Sequence, residues 1–190
     1  MALRRRPIVA LAALAALGVA GVQAQTPVTP ATPAPAPEVA AELSGAKLQG
    51  SGALRFLGLR VYNARLWTAA AVPGADWAAA ALALELEYAR SLDGVRIAER
   101  SLSEMRRQGD IAADVAERWL DAMKQTFPDV KAGDRITGVN VPGLGVRFFI
   151  NGRLKGEVRD LSFARSFFGI WLSPKTSEPA LRDALLGKVP

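Results

Sequence analysis

The chain has 190 residues with a formal charge of +6, no cysteine and no histidine. That composition excludes disulfides, thiolate nucleophiles, a Ser-His-Asp triad and zinc sites built from sulfur or imidazole. Any chemistry rests on Arg, Lys, Tyr, hydroxyls, carboxylates or water, and no cofactor or metal is expected.

Arg4-Arg5-Arg6, an apolar run from Ile8 to Val19 and small residues around Val22-Gln23-Ala24 match the three regions of a secretory signal. The run is short for a spanning helix, rich in Ala and broken by Gly18 and Gly21. The expectation is cleavage after residue 24, export to the periplasm and no lasting membrane anchor. Cleavage removes three arginines and lowers the charge from +6 to +3. The remaining acids and bases are interspersed, which argues against nucleic-acid binding. Residues 25–40 read as a Pro/Ala/Thr-rich linker, and 41–190 as one domain.

Residues 47–69 are rich in Leu, Val, Tyr and Trp with glycines at 50, 52 and 58, which predicts two strands with bends or bulges. Pro73-Gly74-Ala75-Asp76 is a turn signal. From 81 to 88 the pattern alternates: Leu82, Leu84, Leu86 and Tyr88 on one face, Ala83, Glu85 and Glu87 on the other, a half-buried strand with one wet face. Asp93 caps a helix from 94 to 108, with Val95, Ala98, Leu102 and Met105 as its stripe; Gly109 ends it. Asp110 is expected to cap a second helix that stops at Pro128.

Strands are predicted over 135–141, 144–150 and 153–158, the last two joined by the hairpin signal Asn151-Gly152. Asp160 caps a helix to Leu172, and Ser177 with Pro179 opens a last short helix to Leu186. Strands, two helices, hairpin strands and two helices make an α+β domain with an antiparallel sheet.

Several stretches then resemble a known family together. They are Gly50–Arg55 running into Leu59-Arg60-Val61-Tyr62, Tyr88–Gly94, Phe127–Arg135, Phe148–Gly152, Phe168–Leu172, and Ser177-Glu178-Pro179 through Leu185-Leu186-Gly187. Their order and spacing over residues 44–187 resemble the chalcone isomerase-like family, in its exported bacterial branch. The resemblance implies an open-faced β-sandwich: a large antiparallel sheet covered by a layer of helices, with a ligand cleft between. In the plant enzymes of that family an arginine, hydroxyls and water close an unsaturated ketone onto a phenolate. Non-catalytic members hold a fatty-acid carboxylate with an arginine and a tyrosine.

Carried onto this chain, the arginine position falls on Leu54, with Arg55 one residue late and so on the opposite face of a regular strand. A bulge at Gly58 would bring Arg55 back. Tyr62 stands where the enzymes have threonine. In a regular strand Tyr62 shares its face with Arg60, Phe56 and Leu54, so Arg60 and Tyr62 together would hold an anion over an apolar floor. Arg55, Arg60, Tyr62 and Tyr88 are the candidate ligand-binding residues; no catalytic residue is assigned. Each also has a plainer reading: Tyr62 packs its ring, the arginines face solvent, and Tyr88 rims the core. The cluster Phe167, Phe168 and Trp171 reads as helix–sheet core. Glu85 and Glu87 read as a wet sheet face, and Arg147 is selected by nothing in the pattern.

Three functions follow. One is a non-catalytic binder of a small amphipathic acid such as a fatty acid. The second is an isomerase of the intramolecular lyase type acting on an enone or chalcone-like substrate. The third is an envelope accessory protein with a protein partner.

Overall fold

The computed structural model describes residues 33–72 and 77–188. The expected signal, the linker to residue 32 and the turn at 73–76 lie outside the described residues. The elements are α1 (Pro37–Glu42), β1 (Lys47–Phe56), β2 (Leu59–Thr68), β3 (Leu82–Tyr88), α2 (Gly94–Arg106), α3 (Ala113–Thr126), β4 (Arg135–Val141), β5 (Gly145–Ile150), β6 (Arg153–Val158), α4 (Leu161–Leu172) and α5 (Pro179–Leu185). The strands form one antiparallel meander in the order β1-β2-β3-β4-β5-β6.

One face of the sheet carries the main core. Leu66, Leu84, Phe148 and their neighbours pack against Ala98 and Met105 of α2, Trp119 and Met123 of α3, and Phe163, Phe167, Phe168 and Trp171 of α4. Phe167 lies at the centre of an aromatic cluster with Phe127, Phe148, Phe163, Phe168 and Trp171, ring centroids 5.1–6.2 Å apart. Asp93 caps α2 by accepting from the Arg96 N–H, and Asp160 caps α4 by accepting from those of Ser162 and Phe163. α5 runs so close to β1 that a Cβ on Gly50 would lie 2.1 Å from the Ala184 carbonyl oxygen. Only glycine fits there.

Three expectations need correction. Residues 37–40, assigned to the linker, are helical, and Val39 is fully buried. α1 packs on the second face with Leu43, over Trp67, Ala83, Val139 and Phe149. That face is therefore not simply wet. Glu85 is buried, paired with Arg65 and accepting from the Trp67 indole N–H; Glu38 of α1 is buried and bonded to Arg135 and Thr137. Arg147 belongs to the same face, between Glu42 and Glu157. Finally, α3 begins at Ala113 with Ala112 as an uncapped N-cap, so Asp110 caps nothing. The acid in its first turn is Asp114, which favours the helix dipole and pairs with Arg118.

Both two-residue hairpins turn through positive φ. Leu57 and Gly58 have φ of 50° and 79°; Asn151 and Gly152 have 49° and 84°. These left-handed values match the turn type that suits the twist of antiparallel strands.

Candidate functional site

Tyr62 and Tyr88 pair across β2 and β3, their rings edge to face at 5.8 Å. They are only 9% and 4% exposed. The Trp171 indole N–H donates to the Tyr62 hydroxyl at 2.9 Å. Burial pushes the ionisation of both phenols well above the ordinary tyrosine value. Tyr62 is thus a neutral, hydrogen-bonded core residue, poorly placed to meet an anion. On the inward side beside it stands Leu54, its cross-strand partner, packed against the main core.

The candidate arginines lie elsewhere. The register pairs Arg55 with Arg60 and Leu54 with Tyr62, leaving Val61 as an extra residue in β2. The bulge sits at Val61, not at Gly58, which is a turn residue. Paired residues share a face, so Arg55 and Arg60 go together and away from Tyr62. Rather than restoring Arg55, the bulge removes Arg60 as well. No Arg60–Tyr62 anion clamp exists, and the sheet–helix space beside Tyr62 is occupied by aromatic side chains.

The bulge gathers the arginines around an open depression of about 560 Å³ lined by Arg55, Leu59, Arg60, Ala89 and Arg90. The Ala89 N–H donates to the Val61 carbonyl at 2.9 Å, which holds the exit of β3 against the entry of β2 and brings Arg90 into the group. All three arginines are exposed. Among the described residues none of the three has an ion-pair partner, and Arg55 makes one long contact, 3.4 Å, to the Gly58 carbonyl. No carboxylate of the described residues lines the depression. Arg90 went unnoticed in the sequence; the signal was its place directly after the strand that pairs with Tyr62.

A second depression, about 570 Å³, contains Asp93, Asp129 and Asp134. Each of these carboxylates accepts from a backbone N–H, of Arg96, Gly94 and Lys131 respectively. They are turn and cap residues, and no metal-holding cluster of acids exists among the described residues. No described helix is long and apolar enough to cross a membrane.

Comparison with known proteins places this geometry. A family model described as chalcone isomerase-like matches residues 34–187. An uncharacterized protein of Haemophilus influenzae is 30% identical over 111 residues, which cover 56% of this chain and 52% of that protein; the match spans about half of the relative's length. The crystal structure of a fatty-acid binding protein from Arabidopsis thaliana superposes with a TM-score of 0.58 at 14% identity, over 76% of this chain and 88% of the other. The likeness agrees with the fold derived above, an α+β open antiparallel sheet with a helical cover. The chain belongs to the chalcone isomerase-like family.

Proposed function

We propose that the protein is an exported, non-catalytic binder of a small amphipathic acid such as a fatty acid. The observation that carries this is the depression where Arg55, Arg60 and Arg90 converge beside Leu59 and Ala89 without a carboxylate. Guanidinium stays charged at every physiological pH and forks two donors toward a carboxylate. Leu59 and Ala89 give the start of an acyl chain an apolar surface. The family, and a fatty-acid binding protein among proteins of the same fold, agree with a binding role. Export rests on the signal-like residues 1–24.

Against turnover of an enone stands the separation of the required groups. The tyrosine hydroxyl is committed to Trp171, the inward position beside it is Leu54, and Arg55 and Arg60 are on the other face. The test is native mass spectrometry and calorimetric titration with palmitate. One acid should bind per chain and lose most of its affinity in Arg55→Ala/Arg60→Ala/Arg90→Ala. No adduct, or one indifferent to that triple change, sinks the reading. Chalcone mixed with the protein should react no faster than in buffer.

A further inference from the structure

The β1–β2 hairpin breaks a local rule that its twin in the same sheet obeys. The two turns share their φ angles within a few degrees, yet one carries Asn151-Gly152 and the other Leu57-Gly58. Asparagine tolerates a left-handed φ because its short polar side chain bonds locally; leucine there is strained. The strain secures no packing, because Leu57 is 86% exposed. Its neighbours Phe56 and Leu59, paired across the turn, are 65% and 61% exposed. Six large hydrophobic side chains are exposed among the described residues, and three of them fall within these four positions. Directly behind this apolar tip stand Arg55, Arg60 and Arg90, without ion-pair partners among the described residues.

A strained, exposed leucine at the end of an apolar tip, backed by a collar of guanidiniums, matches one surface in chemistry. A bilayer with anionic headgroups offers acyl chains to the tip and phosphates to the collar. We propose that the β1–β2 hairpin docks the protein on an anionic membrane surface, inserting Phe56, Leu57 and Leu59 at the headgroup level. Docking does not require the fatty-acid reading. If that reading holds, docking sets the mouth of the arginine-lined depression against the bilayer, where an amphipathic acid enters and leaves.

The decisive variant is Leu57→Asn, which copies the twin turn. It relieves strain and removes the most exposed side chain of the apolar tip, so stability and docking move in opposite directions. The melting temperature should rise by about 2–4 °C. Cosedimentation with phosphatidylcholine–phosphatidylglycerol vesicles should weaken by about tenfold. Replacing Arg55, Arg60 and Arg90 by Ala should weaken it by about fivefold each, and salt should do the same to the wild type. Vesicles of phosphatidylcholine alone should retain much less protein. Every variant is produced and recovered in the same way, so whatever remains of residues 1–32 is the same in all of them. Wild-type docking by Leu57→Asn, or equal binding to neutral vesicles, overturns the proposal. Palmitate bound in solution without any vesicle binding overturns docking alone. Vesicle binding without palmitate binding supports docking and removes only the ligand reading.

Discussion

Tyr62→Phe removes a single oxygen from the core and separates the two roles a tyrosine here can have. In the structure that oxygen accepts the Trp171 indole N–H at 2.9 Å between two buried side chains. The phenyl ring keeps its edge-to-face contact with Tyr88, so little apolar burial is lost. What remains is a buried indole N–H without a partner, a cost of about 1–3 kcal/mol. At about 2–4 °C per kcal/mol for a chain of this size, the melting temperature should fall by roughly 4–8 °C for a loss near 2 kcal/mol. Thermal unfolding by circular dichroism measures this, with urea titration as a check on the slope. Adding Trp171→Phe should cost less than the two single losses combined, because the orphaned donor is gone; the coupling should be about 1 kcal/mol. A Tyr62→Phe protein as stable as the wild type would mean that the hydroxyl is not structurally committed, and the assignment of Tyr62 to the core would fail.

Three further outcomes follow from the packing. Gly50→Ala drives a methyl group into the backbone carbonyls of Ala184 and Leu185, and should lower stability by about 3 kcal/mol, read by urea unfolding. Glu38→Ala leaves Arg135 and Thr137 without the carboxylate that latches α1 to β4, and should cost about 2–4 kcal/mol and raise proteolysis near residue 40. The Lys131 N–H and the Asn151 side-chain amide hold the Asp134 carboxyl below the usual carboxylate range. Its stabilisation is therefore complete above the ordinary carboxylate range and is lost as pH falls through the depressed value; Asp134→Asn should flatten that part of the acid limb of stability against pH.

The strands and helices were legible because their signals are local. Alternation marked β3, Asn151-Gly152 marked the β5–β6 turn, and Asp93 and Asp160 marked two helix starts. The short α1 was hidden by the proline-rich composition before it, although Pro37 at a first helical turn and the otherwise uncovered Trp67 and Phe149 pointed to a cover for the second face. Overlooking it made Glu85 look wet. The candidate residues were chosen by type, and the faces they take were not legible. One extra residue, Val61, reverses which side chains accompany Tyr62, and no residue pattern marks a bulge at a valine. Arg90 entered the group only through tertiary pairing, the Ala89–Val61 hydrogen bond.

On the proposed reading an amphipathic acid is met outside the core, by the arginines at the hairpin end of the sheet. Isothermal titration of palmitate into Tyr62→Phe and into Arg55→Ala/Arg60→Ala/Arg90→Ala, side by side with the wild type, tests it directly. Affinity should be unchanged in the first and almost completely lost in the second. Loss in the first with full affinity in the second would move the ligand between the sheet and the helices and contradict it.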